Sequence, residues 1–384
     1  MKTDDRHMVI GFDAKRIVRN ATGLGNYGRT LVNGIVKECG DEFRFRLYAP
    51  DKGRDNLRGM IDEDRRVEFV YPEDRIFRFE RDLWRIKDIV RTLKHDGVKL
   101  YHGLSGELPI GLKSSGIHGI VTIHDLIFMR FPQYYNWLDA KIYAMKFRKT
   151  CKEAEQIIAI SECTKRDIIE FGHVDPDKIK VIYQGCDDCF KQTVDDEKKH
   201  KVRLLYGLPK RYILNVGSIE ERKNVMLAVE ALKDIDEDVS LVIVGKHTTY
   251  TNKVLDYVEK NDLQQRVLII NGLPFEDLPA VYQMAETFVY PSRYEGFGIP
   301  IIEAINCGLP VVACTGSCLE EAGGEDCLYV SPDDVKGMAE ALNASLKGTE
   351  GRDERIARSK EYVKRFENDD TVMEVIKEYR QLIR

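Results

Sequence analysis

Short, nearly continuous apolar runs recur along this chain, and longer amphipathic stretches separate them. Met8–Asp13, Phe43–Ala49, Val67–Tyr71, Val98–His102, Gly119–His124, Gln156–Ser161 and Lys180–Tyr183 form a first series. Tyr212–Gly217, Ser240–Gly245, Val267–Ile270, Thr287–Tyr290, Pro310–Ala313 and Cys327–Val330 form a second. Runs of this kind read as strands buried on both faces. The segments between them, including Phe79–Leu93, Glu162–Phe171, Asn224–Lys233, Glu276–Ala285 and Ile299–Asn306, read as helices. The alternation predicts an α/β protein with parallel sheets. A polar stretch with Asp195-Asp-Glu-Lys-Lys-His-Lys201 at its centre divides the series. The expected organisation is a Rossmann-like, doubly wound domain over residues 1–190, a linker over 191–210 that runs into a short helix, and a second such domain over 211–366. A last helix over 367–384 is expected to pack back on the first domain. Two such domains facing each other create a cleft, the usual place for a ligand.

Composition narrows the picture. The chain has 384 residues, more than one core usually serves. It is 43% hydrophobic and 32% charged, which fits a soluble globular protein. A net charge of −5 gives no case for nucleic acid as a partner. No apolar run approaches membrane-spanning length. The charged start, Met1 to His7, leads straight into a strand, which predicts no signal peptide. Nine scattered cysteines suit reduced thiols and a cytoplasmic location. Cys186-x-x-Cys189 lacks a second pair at zinc-site spacing and reads as a loop coincidence.

The richest stretch for chemistry is Ser292–Val312. Glu295 precedes Gly296, Phe297 and Gly298 in a strand-to-helix loop, and Glu303 follows in the helix. Free N–H groups at such a helix start can hold an anion, and glycines let it come close. A carboxylate beside it can accept hydrogen bonds from a sugar or a ribose. The plainer reading is a charged helix after a glycine turn. Gly217-Ser218-Ile-Glu-Glu-Arg222-Lys223-Asn224 follows the first strand of the second series. Its two cations can neutralise a phosphate, or simply decorate a solvated turn. His124 ends a strand where ligands gather in open α/β sheets, so it can bond a hydroxyl or handle a proton, or merely cap the strand. Gly23-Leu-Gly25-Asn-Tyr-Gly28 has the G-x-G-x-x-G form, read as a loop before an amphipathic helix to about Cys39. Its distance from the first strand argues against NAD but still allows approach to a diphosphate.

Together these segments resemble the retaining glycosyltransferases of family 4, which have the two-Rossmann GT-B fold. Glu295-Gly-Phe-Gly-Ile-Pro-Ile-Ile-Glu303 is similar to that family's E-x7-E signature. The resemblance implies that Glu295 contacts the donor sugar and Glu303 the ribose. Amides around Gly296, Phe297 and Gly298 would hold sugar and phosphate. Arg222-Lys223-Asn224 resembles the phosphate-binding loop, where the lysine stabilises the departing diphosphate. Many members carry an arginine directly after the strand glycine; here that residue is Ser218, and Arg222 takes over the charge. Thr22-Gly23-Leu-Gly25-Asn-Tyr27 resembles the glycine loop near the diphosphate, and Thr122-Ile-His124-Asp125-Leu126 the strand end whose histidine contacts the donor sugar. This combination is similar to mannosyltransferases of O-antigen and exopolysaccharide assembly, and so to lipopolysaccharide biosynthesis. It implies GDP-mannose as donor and a glycan or lipid-linked glycan as acceptor; no Asp-x-Asp cluster stands out at a strand end, so no bound metal or other cofactor is expected. A UDP-sugar transferase such as one using UDP-glucose, and a non-catalytic sugar-nucleotide-binding protein, are the alternatives. The basic residues of Lys141–Lys152 beside Tyr134, Tyr135 and Trp137, and those of Arg75–Lys94 among Phe77, Phe79, Trp84 and Ile86, make peripheral contact with the inner face of the cytoplasmic membrane an expectation.

Overall fold

A computed structural model describes residues 7–72 and 77–383. The chain forms two compact units. One runs to Gln184 and takes up the chain again from Asn368; the other is Gly185–Glu367.

The first unit holds β1 (Met8–Asp13), β2 (Phe43–Tyr48), β3 (Val67–Val70), β4 (Val98–Gly103), β5 (His118–Ile123), β6 (Gln156–Ala159) and β7 (Ile179–Val181). They pair in parallel in the order β3-β2-β1-β4-β5-β6-β7. Side chains alternate across a strand, so neighbours enter opposite cores. Leu100, Ile120 and Ile158 pack in one cluster. Tyr101, Val121 and Ile157 pack in the other. Both faces are therefore apolar, which explains the near-continuous hydrophobic runs. The C-terminal helix Asn368–Ile383 belongs to this unit, with Val372, Val375, Ile376 and Tyr379 buried in the cluster that holds Ile10 and Phe12.

The second unit holds β8 (Tyr212–Val216), β9 (Ser240–Val244), β10 (Val267–Ile270), β11 (Thr287–Tyr290), β12 (Val311–Cys314) and β13 (Leu328–Val330). Their order is β10-β9-β8-β11-β12-β13, again all parallel. Both sheets reverse direction beside their first strand. The crevice at the carboxyl ends of such a reversal is where open α/β sheets take ligands. It lies between β1 and β4 in one unit and between β8 and β11 in the other.

Three expectations need correction. The glycine segment is not a loop: helix α2 (Gly23–Glu38) begins at Gly23 itself, after the short helix α1 (Lys15–Arg19). A Cβ on Gly25 would sit 1.9 Å from the Asn20 carbonyl oxygen, and one on Gly28 would sit 2.9 Å from Ile17. These glycines let α2 lie against the chain that enters it, and that contact overrides their poor helix propensity. The arginine-rich helix is also irregular. A π turn, Trp84–Asp88, interrupts it and buries both Trp84 and Arg85. Arg75 lies outside the described residues. The stretch read as a linker is part of the second unit, where helix Asp196–Tyr206 buries Val202. The Tyr206 hydroxyl donates to Asp277 Oδ2 at 2.8 Å, and Lys198 Nζ donates to the Glu276 carbonyl at 2.6 Å. Its charges face solvent, and a few of them dock it.

Space at two neighbouring glycines gives a paired test. Gly25→Ala forces a methyl into the Asn20 carbonyl and should cost about 1–3 kcal/mol, lowering the melting temperature by ~3 °C or more. Gly23, with nothing within 4 Å of a built Cβ, should accept alanine without loss. Thermal melts of the two variants check this; equal melting temperatures would count against the close approach.

Candidate functional site

At the reversal in the second unit, β8 and β11 pair directly only through Ile213 and Leu214. Beyond that the strands part, and the buried Asn215 side chain bridges them by donating to the Val289 carbonyl at 2.9 Å. The loop after β8 and the loop after β11 meet over this gap. The Arg293 backbone N–H donates to the Arg222 carbonyl at 2.9 Å, tying the two loops together. Gly217 carries a φ of 154°, and a Cβ on Gly245 would lie 1.8 Å from its carbonyl oxygen. Two strand ends therefore come together where only glycine fits.

Three charged side chains converge there. Glu295, 8% exposed, receives Lys223 Nζ at 2.7 Å and Arg222 Nη1 at 2.9 Å on the same oxygen, Oε1. Lys223 also donates to the Tyr290 hydroxyl at 2.7 Å, and Arg222 to the Tyr294 carbonyl at 2.5 Å. Burial alone pushes the Glu295 carboxyl up; Lys223 and Arg222 outweigh it and hold the group below the usual carboxylate range. Burial pulls the two cations down, and Glu295 more than reverses this. The cluster is thus ionised, and Glu220 Oε2, 3.9 Å from Arg222 Nη2, adds a second acid at its edge. Removing one partner of a buried pair typically costs about 3–5 kcal/mol, because the other charge is left uncompensated.

The turn supplying the cations has a defined shape. Glu221–Lys223 is a 3-10 turn, and Asn224 closes it with a φ of 55° before helix Val225–Ala231. Asparagine tolerates that conformation, and its amide donates to the Pro332 carbonyl at 2.9 Å. Ser218 donates to Glu220 Oε1 at 2.6 Å, so its hydroxyl braces the loop. Gly298 caps helix Ile299–Asn306 without a side-chain hydrogen bond at the cap, and a Cβ there would meet Ala322 at 2.8 Å. Gly296 is half-buried, and the Phe297 ring packs edge-on against Phe366 at 5.3 Å. Phe297 therefore anchors the loop through its side chain.

Glu303 is directed elsewhere. Its Oε2 accepts from the Tyr282 hydroxyl at 2.8 Å. Burial pushes its carboxyl up to about 7, with Tyr282 opposing and Asp187 reinforcing the rise.

In the first unit, His124 follows β5. Its Nε2 is 2.9 Å from the Leu104 carbonyl, which can only accept, so Nε2 carries the proton. Nδ1 then accepts from the Gln184 amide at 3.2 Å. Burial pulls the imidazole down to about 4, so it is neutral at pH 7. Its edge meets the Tyr27 ring at 4.8 Å. The Tyr27 hydroxyl pairs with Thr122 at 3.0 Å, Thr122 with His102 at 2.9 Å, and His102 with the Tyr379 hydroxyl at 2.5 Å. This polar chain fixes Tyr27 beside His124 and links β4, β5 and the C-terminal helix. Gly23 and Gly25 open α2 one turn away. The reversal of this sheet is occupied differently. Asp13 and Glu107 enclose Arg85, with Asp13 at 2.6 Å, and Lys146 reaches Glu107 at 3.1 Å. Two acids balance two bases, leaving no surplus charge for an anion.

The structure thus brings Arg222, Lys223, Ser218, Glu295 and Gly296–Gly298 to one place. It puts His124, Gly23 and Gly25 in the other unit and turns Glu303 towards Tyr282. Tyr290, which holds Lys223, was missed. Its position as the last residue of an apolar strand was the only available signal.

The Glu303 environment has a pH signature. Its folded value, raised to about 7 from 4.5, means the protonated form is favoured on folding. Its stabilising contribution is complete below pH 4.5 and is lost as pH rises through 7. Glu303→Gln, which mimics the protonated form, should therefore gain melting temperature relative to the parent as pH goes from 5 to 8. A gap that stays constant or shrinks across that range would refute the assignment.

Comparisons with known proteins bear on both units. Residues 21–189 match the model of "Glycosyltransferase Family 4", and residues 196–362 that of "Glycosyl transferases group 1". The chain is 26% identical over 98% of its length to the whole of an O-antigen chain mannosyltransferase B of Escherichia coli. It is 28% identical to the O-antigen chain mannosyltransferase RfbU of Salmonella typhimurium, across 65% of this chain and 66% of that one. Among solved structures, Anabaena Alr3699/HepE in complex with UDP and glucose superimposes with a TM-score of 0.73 at 17% identity, over 98% of this chain and all of the other. The two parallel sheets are those of the GT-B architecture. The chain belongs to the glycosyltransferases, with a family 4 module followed by a group 1 module.

Proposed function

We propose that this protein transfers a mannosyl residue from GDP-mannose to a glycan or lipid-linked glycan hydroxyl, with retention at the anomeric carbon, in cell-surface polysaccharide synthesis. The observation that carries the reading is the Arg222–Lys223–Glu295 cluster at the sheet reversal of the second unit. The mannosyl donor rests on the O-antigen mannosyltransferases named above.

The cluster has the right groups for an exchange of partners. A diphosphate brings more negative charge than Glu295 and draws Lys223 and Arg222 towards itself. Glu295, released from them, needs donors, and sugar hydroxyls supply them. The dry surroundings strengthen both sets of contacts. In the reaction the acceptor oxygen bonds to the anomeric carbon as the bond to the leaving phosphate breaks. The acceptor proton passes to the leaving phosphate oxygen on the same face, which gives retention without a covalent enzyme intermediate. The cations take up the charge that develops on the diphosphate, so no metal is assigned a step. His124 is neutral and both its nitrogens are engaged, so it would orient a hydroxyl by exchanging the long Gln184 contact at Nδ1 for it, and it is assigned no proton to donate. Glu303 is assigned to the ribose hydroxyls.

Among the described residues no helix is long and apolar enough to cross a membrane. The helix Trp137–Glu153 exposes Trp137, Leu138, Ile142, Tyr143 and Met145, with Lys141, Arg148, Lys149 and Lys152 also in solvent. Lys141 Nζ sits 3.9 Å above the Trp137 ring. An apolar stripe with basic residues along it fits an anionic lipid surface, which is where a lipid-linked acceptor is met.

Three measurements test these assignments. Glu295→Ala should abolish transfer from GDP-mannose while secondary structure persists; near-normal turnover would remove the site. Melting temperature should rise with GDP. A rise with UDP and none with GDP would favour a UDP-sugar, the nucleotide seen with the Anabaena protein. The protein should sediment with anionic vesicles at low salt and be released as salt rises. No sedimentation at low salt would remove the lipid contact.

A further inference from the structure

The polar chain that ends at Tyr27 has a direction, and its hydrogen bonds fix it. Tyr379, His102 and Thr122 are fully buried, so water does not reach their side chains. Among the described residues the Tyr379 hydroxyl has one hydrogen-bond partner, His102 Nδ1, at 2.5 Å. A buried hydroxyl proton without an acceptor is costly, so Tyr379 donates and Nδ1 accepts. Burial pulls the His102 imidazole down to about 3, so the ring is neutral and carries a single N–H, which must then be at Nε2. Nε2 donates to Thr122 Oγ1 at 2.9 Å. The Thr122 hydroxyl still has its own proton to place, and its other partner is the Tyr27 oxygen at 3.0 Å. Thr122 therefore donates to Tyr27. The Tyr27 oxygen accepts at the end of the chain, and its own proton has no acceptor among the described residues.

Tyr27 is half-buried, unlike the three residues behind it. It lies in the second turn of α2, against the carboxyl end of β5, the edge at which such sheets take ligands. The helix start that carries it is held firmly. Arg29, 3% exposed, donates through Nη1 to the Ile17 carbonyl at 2.7 Å and to the Asn20 carbonyl at 3.0 Å. Gly25 and Gly28 bring α2 close to the same segment. The groups gathered at this point are neutral: the Tyr27 hydroxyl, the His124 imidazole and the Gln184 amide. Tyr27 offers a proton, and His124 Nδ1 accepts one. A sugar hydroxyl both accepts and donates, so neutral groups of both kinds suit a sugar ring. A phosphate would call for cations instead.

We propose that Tyr27 is a substrate contact whose hydroxyl donates a hydrogen bond to a hydroxyl oxygen of a sugar, and that Tyr379 is a positioning residue whose chain of bonds through His102 and Thr122 keeps that proton free for the ligand. The direction of the chain stands on the hydrogen bonds alone; the sugar rests on the transferase reading. Two sugars offer this oxygen, the mannosyl group of the donor and a residue of the acceptor glycan. Burial pushes the Tyr27 phenol well above its usual range, so it contributes a hydrogen bond and does not transfer its proton. The C-terminal helix thereby acts on the substrate edge of the first unit without touching the ligand.

Nuclear magnetic resonance of the full chain, labelled with nitrogen-15 in histidine, reads the direction. His102 is assigned as the signal lost in His102→Gln and shifted in Tyr379→Phe. The Nε2–H tautomer is expected; the Nδ1–H tautomer would reverse the chain, turn the Tyr27 proton onto Thr122 and overturn the proposal. Calorimetry reads the contact. GDP and GDP-mannose are titrated into the parent and into Tyr27→Phe, and mannobiose into each protein saturated with GDP. GDP should bind both proteins equally. The sugar that Tyr27 touches should bind the variant about fivefold more weakly, the worth of one neutral hydrogen bond. A loss confined to GDP-mannose identifies the donor sugar, and a loss confined to mannobiose the acceptor. Tyr379→Phe, which leaves Tyr27 in place, should show the same sugar-selective loss more weakly. Equal sugar affinities in the parent and Tyr27→Phe, or a loss shared in full by GDP, would overturn the contact. A parent that binds neither GDP nor GDP-mannose would count against the transferase reading, while the His102 tautomer would still decide the direction of the chain.

Discussion

The buried carboxylate of Glu295 is the constraint on which the second unit's working edge depends. An ionised group in that position is tolerable only if cations reach it, and they come from a separate loop. The pairing therefore fixes the loop after β8 against the loop after β11. It does so where β8 and β11 have stopped pairing through their backbones and where Asn215 bridges the gap. The loops are then held by these charges together with apolar anchors, Ile219 in one and Phe297 in the other.

The two units share one strand order and use it differently. In the first, the reversal is filled by Asp13, Arg85, Glu107 and Lys146, in which opposite charges balance. The π turn at Trp84–Asp88 delivers Arg85 to that position. In the second, Arg222 and Lys223 converge on the buried Glu295, with Glu220 beside Arg222. Topology offers both crevices, and the side chains at the strand ends fill each of them differently.

Much of the fold was legible because burial on both faces leaves a strong mark. β9, β11 and β12 are buried throughout, and each reads as an apolar run, after a leading Ser240 in β9 and Thr287 in β11. The Arg222-Lys223-Asn224 turn and the Glu295 loop were legible for a different reason. Glycines, cations and carboxylates cluster in sequence wherever one short loop makes several polar contacts. Other features were hidden. The glycines of α2 read as a loop because propensity takes no account of the Asn20 carbonyl that excludes a side chain at Gly25. A short helix was expected within 191–210, but its charges obscured the buried Val202 and with it the helix's place in the second unit.

The sequence by itself determined the alternation of strands and helices, the two α/β series and the loop chemistry at the strand ends, since each is written in neighbouring residues. Only the tertiary structure decided which of those residues meet. Lys223 and Glu295 are far apart in the chain and become partners because β8 and β11 are adjacent in the sheet. His102 and Tyr379 become partners because the C-terminal helix returns to the first unit. Glu303, one turn beyond the glycine loop, is set against Tyr282 by the direction its helix face presents. Strand order and helix rotation are set by the packing of whole faces, a sum over many weak contacts that no local stretch records.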